Sequence, residues 1–216
     1  MNDHEIIERT IAFAKQRMQR VPSSHGWDHV ERVMATAEHI AKTEPEADSF
    51  IVAVAAALHD IARADQDDSG GLICHAEEGE RIARAFLGDL GLDETRIGRI
   101  CECILSHRFR NDHLPRSIEA RILYDADKLD SIGAVGIGRA FLFSGEVGAR
   151  LHDAEVDTSP TAAYGPADTA YREFIVKLRF IKEQMLTAEG KRLAEERHRF
   201  MELFFERLIE ETGCRA

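Results

Sequence analysis

A nearly uninterrupted apolar segment from about Asp48 to Ala62 constrains the fold of this chain more than any other part of its sequence. Such a helix exposes little polar surface and is typical of a buried position, yet it carries His59 and Asp60 side by side near its C-terminal end. Burying a neutral polar group without a partner costs about 2–7 kcal/mol, and burying a bare carboxylate costs far more. A metal ion bound by both side chains would remove this penalty, and imidazole with carboxylate suits Mn, Fe, Co, Ni or Zn.

The remaining apolar residues recur at 3- and 4-residue steps, and no strand pattern of useful length appears, so the predicted fold class is all-α. Further helices are predicted at about 3–20 (capped by Asp3), 27–43, 75–90, 94–106, 118–131, 168–185 and 188–211. Residues 63–71 and 108–117 are predicted to be loops, and glycines are expected to loosen 133–148. The stretch 159–166 is predicted to be a surface loop long enough to serve as a lid.

Two other segments offer metal ligands. His29 falls in the first turn of the predicted helix that begins at Trp27, and Asp127 lies in an apolar context downstream. The candidate ligands therefore follow the order His, His-Asp, Asp along the chain.

Five ordered blocks carry a resemblance to a known family. They are His-Gly-Trp-Asp-His at 25–29, Leu-His-Asp-Ile-Ala-Arg at 58–63, His-Ala-Glu-Glu-Gly at 75–79, Asp-Ala-Asp-Lys-Leu-Asp at 125–130 and Ile-Gly-Ala-Val-Gly-Ile-Gly-Arg at 132–139. With them the chain resembles the HD superfamily of metal-dependent phosphohydrolases, in particular bacterial HD-domain proteins of the nucleotide pyrophosphohydrolase type. The resemblance implies a single HD-type helical domain over 1–216, with a metal-binding core at about 21–139 and a helical extension at about 140–216.

The resemblance also implies a ligand set of His29, His59, Asp60 and Asp127 around one divalent metal ion. Mn is favoured, while Co, Fe, Ni, Zn and Mg also suit such a site. Two nitrogens and two oxygens leave positions for water and substrate, and such an ion activates water and polarises a phosphoryl oxygen. Asp60, Asp127 and Lys128 are accordingly the candidate catalytic residues.

Phosphoryl transfer also needs cations near the phosphates. Lys128, beside a proposed ligand, is the best placed in the sequence, and Arg63, Arg108 and Arg139 are weaker candidates. His75 and His107 stand about where relatives with two metals bind the second ion, but the Gly-Tyr-Pro signature of those relatives is missing. A second metal site and a substrate pocket therefore both stay open for these two histidines.

The acidic run after the ligand pair has two interpretations. In the first interpretation, one of the three carboxylates Asp65, Asp67 and Asp68 is a general acid. In the second, all three belong to a solvated loop. The run Gly133 to Gly138 lacks the preceding strand and spacing of a dinucleotide fingerprint. Close helix packing or a hinge is the favoured interpretation of these glycines.

Composition and net charge limit the kinds of molecule that this protein is expected to bind. The net charge of −11 argues against binding to nucleic acid or to an anionic membrane. No apolar run approaches the roughly 20 residues that span a bilayer, and the acidic start Met1–Glu5 is unlike a signal peptide. The four cysteines lack zinc-ligand spacing and are expected to be reduced. A cytoplasmic protein with a small-molecule nucleotide substrate is expected, and a homodimer is compatible with the sequence.

The favoured function is metal-dependent release of pyrophosphate from a nucleoside triphosphate. The choice of bond rests on the resemblance. The alternatives are a 5'-nucleotidase and a phosphodiesterase of cyclic or alarmone nucleotides, although alarmone hydrolases usually have Arg-Leu-His-Asn where this chain has Lys-Leu-Asp-Ser at 128–131. A non-catalytic module that senses a nucleotide or a metal is the alternative outside enzymes.

Overall fold

The computed structural model of the chain describes residues 1–21, 25–108, 113–152 and 165–213. Within these ranges the regular structure is helical throughout, with no strand, so the all-α prediction is confirmed. The chain forms two compact units, Met1–Asp127 and Lys128–Ala216.

In the described ranges, the first unit holds six α-helices and most of a seventh. They are α1 (Asp3–Arg17, followed by a 3-10 turn at Met18–Arg20), α2 (Trp27–Ala41), α3 (Ser49–Leu58), α4 (Arg63–Asp68), α5 (His75–Asp89), α6 (Glu94–Ser106) and α7 (Ile118–Leu129). The last two residues of α7 belong to the second unit.

Helix α3 is the centre of the first unit. It packs against α1, α2 and α6, while α5 and α6 pack against each other. All of its residues from Phe50 to Leu58 except Ala53 are buried. The Asp48 side chain caps the helix by accepting hydrogen bonds from the backbone N–H groups of Phe50 and Ile51. The predicted cap and the predicted burial of this segment thus agree with the structure.

The second unit contains α8 (Gly133–Glu146), α9 (Ala170–Val176), a 3-10 segment (Leu178–Gln184) and α10 (Ala188–Glu211). Helix α8 packs against α9 and α10, and the 3-10 segment packs against α9 and α10. Within this unit Arg139 donates to Asp130 at 2.9 Å.

Glycines do not loosen 133–148 as predicted, because 133–146 form helix α8. Two of these glycines are required by their surroundings. Gly133 has a φ of +77°, and a Cβ at Gly136 would lie 2.3 Å from the carbonyl oxygen of Ser131. The helix persists despite its glycines because tertiary packing outweighs propensity: Ile137, Ala140 and Ser144 are buried. Close packing is therefore the correct interpretation at Gly136, whereas Gly133 is required by its left-handed backbone.

Other predicted boundaries were wrong. The segment 63–71 is not all loop, because Arg63–Asp68 form α4 before Gly70 and Gly71 adopt positive φ. The cap of α1 is Asn2 rather than Asp3, since the side chains of Asn2 and Glu5 form a reciprocal capping box.

The predicted helix at 168–185 is a short α-helix followed by a 3-10 segment. Most of the expected lid at 159–166, and part of the expected loop at 108–117, lie outside the described residues. None of the helices in the described ranges has the length and apolar content needed to cross a membrane.

Candidate metal centre

The end of α3 delivers two candidate ligands into the interior of the first unit. His59 caps the C-terminus of α3 and is fully buried, and Asp60 is 4% exposed. The C-terminal end of a helix carries a partial negative charge, which favours a cation nearby. A buried helix thus holds both side chains where a positive ion is stabilised.

A first group of ligand atoms joins three helices. His29 comes from the first turn of α2, His59 from the end of α3 and Asp127 from the last turn of α7, and their ligand atoms all lie within 4.8 Å of one another. The Nε2 atoms of His29 and His59 are 3.3 Å apart, and Nε2 of His29 lies 3.4 Å from Oδ1 of Asp127.

A second group consists of Asp60, His75 and His107, all buried and again within 4.8 Å of one another. Oδ1 of Asp60 lies 3.1 Å from Nε2 of His75 and 3.6 Å from Nε2 of His107. His75 begins α5, and His107 follows the last residue of α6. The structure therefore places all six histidine and aspartate residues that the sequence suggested as ligands of a first or second metal in these two groups.

Asp60 faces both groups through different oxygen atoms. Its Oδ2 lies 3.7 Å from Nε2 of His29 and 3.8 Å from Nε2 of His59, whereas its Oδ1 faces His75 and His107. One carboxylate is thus shared by two sets of imidazoles. The sequence predicted Asp60 as a ligand but gave no indication of this division.

Hydrogen bonds fix the orientation of three imidazoles. Nδ1 of His59 lies 2.8 Å from the carbonyl oxygen of Ala56, and Nδ1 of His107 lies 2.6 Å from that of Ile104. Because a carbonyl oxygen only accepts, each Nδ1 must carry the proton. In the neutral rings, Nε2 therefore presents a lone pair towards the neighbouring groups.

The side chain of Gln66 fixes the orientation of the His75 ring. Its Oε1 lies 2.8 Å from Nδ1 of His75 and also accepts from Arg108 at 2.9 Å. His75 and His107 then direct two lone pairs at each other across 3.2 Å. Such an arrangement is repulsive unless a cation lies close by, so these donor atoms fit a divalent metal ion.

Charge and burial set the protonation states that metal binding requires. Burial lowers the pKa of His59 to about 4 and also lowers the pKa of His75. Burial alone would raise the pKa of Asp60, but His59 and His75 hold it well below its ordinary value. Neutral imidazoles and an ionised carboxylate at neutral pH are the forms that bind divalent ions.

The predicted phosphate-binding cations have different surroundings. Arg108 lies beside the second group, with its guanidinium on Gln66 and 3.7 Å from Sγ of Cys74. Nε of Arg63 lies 3.6 Å from Asp67 on the same short helix. Lys128 directly follows Asp127 on α7.

Two of the three candidate general acids form ion pairs. Asp65 pairs with Arg17 at 3.1 Å and Asp67 lies 3.6 Å from Arg63. Asp68 is exposed, which favours the solvated interpretation over a general acid for this residue. The ring of His25 stands edge-on to that of His29, with centroids 6.2 Å apart. His25 does not cap α2, whose N-cap residue is Gly26.

Gln66 is the residue of this centre that the sequence did not indicate. It lies within a stretch predicted to be an acidic loop, and nothing in its local pattern separates it from its neighbours. Only the helical turn of α4 places its side chain on His75. A helix prediction at 63–68 would have been the signal that could point to Gln66.

Comparisons with known proteins identify the family of this chain. The HD domain family matches residues 26–132. YpgQ of Bacillus subtilis strain 168, an uncharacterized protein, is 36% identical over 212 residues, which cover 96% of this chain and 94% of YpgQ.

Two solved structures are similar over nearly their whole length. The structure of B. subtilis YpgQ in complex with ADP has a TM-score of 0.77 at 30% identity and covers 98% of this chain and 97% of YpgQ. An HD-superfamily hydrolase from Bacillus thuringiensis has a TM-score of 0.76 at 31% identity, with 99% of this chain and 100% of the hydrolase covered.

Proposed function

The chain belongs to the HD-domain family, and from this premise we propose that it is a metal-dependent phosphohydrolase that acts on nucleotides. Release of pyrophosphate from a nucleoside triphosphate is the favoured reaction. The observation that carries the proposal is the position of Asp60 between two sets of buried imidazoles, within 3.1–3.8 Å of all four Nε2 atoms.

The proposed ligands of a first divalent ion, with Mn favoured, are His29, His59, Asp60 and Asp127. We propose that His75 and His107, with the other oxygen of Asp60, hold a second ion or face the substrate. When bound, a divalent ion activates water as a nucleophile and neutralises charge on the phosphoryl group. The facing lone pairs of His75 and His107 favour the second ion over the substrate pocket.

The protein's own contribution is to hold the ligands in their binding state. Burial lowers the pKa of His59 and His75 and so keeps these two rings neutral, and the backbone carbonyl groups of Ala56 and Ile104 fix the rings of His59 and His107. Gln66 fixes a third ring and also accepts from Arg108. Arg108 thereby has a defined position from which to neutralise a phosphate, as proposed also for Lys128 and Arg63.

The substrate class is supported by a relative and by charge. The solved structure of YpgQ contains ADP. This chain carries a net charge of −11, so an anionic nucleotide requires local positive charge to bind. Bound cations at the two imidazole groups would supply it.

The test is an assay that measures pyrophosphate and phosphate separately from a panel of nucleoside mono-, di- and triphosphates, with Mn, Co or Mg added. Pyrophosphate from triphosphates is expected, with the Asp127→Ala variant inactive. A matched control is Asp68→Ala, which removes an exposed carboxylate and should leave turnover unchanged.

Other outcomes would redirect the proposal. Phosphate released from monophosphates would indicate a 5'-nucleotidase. No product from any member of the panel would contradict the proposal and favour a cyclic or alarmone substrate or a sensor module. A folded Asp127→Ala variant with full activity would overturn the ligand assignment.

A further inference from the structure

Helix α10 carries an exposed stripe on the side away from its buried face. The buried residues of α10 are Gly190, Ala194, His198, Met201 and Phe205. At 3.6 residues per turn, a second set of residues follows another line along the helix. We call it the α10 stripe, and it consists of Arg192, Glu196, Phe200, Leu203, Arg207 and Glu211, all exposed.

The middle of the α10 stripe is apolar. Phe200 is 48% exposed and Leu203 is 62% exposed, and they lie one turn apart. Single exposed apolar residues are common on protein surfaces. Two large ones on one line, with charged residues on both sides, resemble the apolar core and polar rim of an interface.

The order of charges along the α10 stripe is complementary to itself. From the N-terminal end the stripe reads Arg, Glu, Phe, Leu, Arg, Glu. A second copy running in the opposite direction, with the two-fold axis midway between Met201 and Glu202, would place opposite charges face to face. Glu196 would meet Arg207 of the second copy, and Arg192 would meet Glu211 of the second copy.

The same alignment places Phe200 against Leu203 of the second copy. The two-fold axis repeats this contact, so it occurs twice in each dimer. A two-fold contact uses the same patch on both partners, so such a stripe must complement itself when reversed. The charges and the apolar residues of the α10 stripe satisfy this condition in one register. We propose that the α10 stripe is the contact between two copies of this chain, paired antiparallel along α10.

Within one chain Glu196 and Arg207, the two inner charges of the α10 stripe, form long ion pairs. Arg192 donates two hydrogen bonds to Glu189, whereas Glu196 lies 3.5 Å from Arg192 and Arg207 lies 3.4 Å from Glu210. Exposed pairs of this kind contribute little and rearrange easily. Two copies with a net charge of −11 each repel one another. Local opposite charges beside the apolar centre are therefore needed for association.

The test measures the mass of the full-length protein in solution by sedimentation velocity over a concentration series into the high micromolar range. The wild type is expected to be a dimer. Glu196→Arg places Arg opposite Arg207 of the second copy, and Arg207→Glu places Glu opposite Glu196 of the second copy. Each single variant should raise the dimer dissociation constant about tenfold or more.

Mixing the two single variants provides the decisive measurement. In a mixed dimer Arg at 196 faces Glu at 207, and the native pair forms at the other end, so association should return. Contacts inside one chain cannot produce this rescue, because mixing does not change them. The double variant Glu196→Arg/Arg207→Glu should also dimerise.

A matched control lies on the same helix. Lys191→Glu makes the same charge change as Arg207→Glu at an exposed residue off the α10 stripe, and it should leave the dimer intact. Thermal unfolding of each variant verifies its fold. A monomeric wild type, a dimer that the single variants do not weaken, or a mixture that stays monomeric would each overturn the proposal.

Discussion

At the scale of single residues, the centre depends on which nitrogen of each imidazole carries a proton. Carbonyl oxygens fix this for His59 and His107, and a side-chain amide fixes it for His75. Partners of metal-binding histidines often change metal affinity or activity by about 10- to 100-fold when removed. Among the partners described for these three histidines, Gln66 is the one that a side-chain substitution can remove.

Gln66→Ala is expected to weaken metal binding, activity or both by about 10- to 100-fold, because His75 loses the acceptor that holds its ring. Equilibrium dialysis of Mn against the metal-stripped protein measures this apart from turnover. Asp68→Ala, on the same short helix and exposed, serves as the control. Equal Mn affinity and equal turnover in wild type and Gln66→Ala would remove Gln66 from the centre.

Acid should destabilise the metal-stripped protein. The pKa of His59 falls from its ordinary 6.5 to about 4 on burial, so the unfolded state binds more protons between these values. Stability is therefore full above about pH 6.5 and decreases as the pH drops towards 4, by up to about 3 kcal/mol from this residue. The lowered pKa of Asp60 acts in the same direction at lower pH.

Urea unfolding across this pH range measures the effect. His59→Asn keeps a donor near the Ala56 carbonyl group but does not titrate, so its stability should depend less on pH. His4→Gln replaces an exposed histidine, and its free energy of unfolding should depend on pH as in the wild type. If the free energy of unfolding depends on pH equally in His59→Asn and in the wild type, His59 is not the source of the effect.

At the scale of helices, sequence patterns predicted the elements that have strong local signals. The bounds of α6 and α10 agree with the prediction, and Asp48 caps α3 as expected. Helix α8 was missed because its glycines have low helix propensity, which packing against α10 outweighs.

The candidate site could be predicted only in part. The ligand types and their order are visible in the sequence, and five of the residues in the two groups fall in the quoted family blocks. Their division into two groups depends on distances between different helices, which no local pattern encodes. Gln66 was missed for the same reason, because its partner lies on α5.

Two glycines of α8 are predicted to respond oppositely to the same substitution. Gly136→Ala would place a Cβ 2.3 Å from the carbonyl oxygen of Ser131 and should destabilise the protein by about 1–3 kcal/mol. Gly138→Ala meets nothing within 4 Å and should stabilise the helix by roughly 0.5–1 kcal/mol. Denaturant unfolding of both variants measures the difference, and equal effects would contradict the packing at Gly136.

At the scale of the whole molecule, two compact units share one continuous helix. Helix α7 carries Asp127 at the end of the first unit and Lys128 at the start of the second. The boundary between the two units thus falls inside α7, two residues before its end. The prediction of one domain over 1–216 remains to be tested.

A single cooperative transition is therefore expected in calorimetry of the metal-stripped protein, with calorimetric and van't Hoff enthalpies that agree. The same comparison with Mn added measures how far metal binding raises the transition temperature. Two separate transitions would show instead that Met1–Asp127 and Lys128–Ala216 unfold independently.

The most direct measurement is the rate of pyrophosphate release from a nucleoside triphosphate by metal-stripped protein as Mn is added stepwise. No turnover is expected without metal, and activity should rise in proportion to Mn bound at the centre formed by His29, His59, Asp60 and Asp127. Undiminished turnover in fully stripped protein, or bound Mn that restores no hydrolysis of any phosphate bond, would contradict a metal-dependent phosphohydrolase.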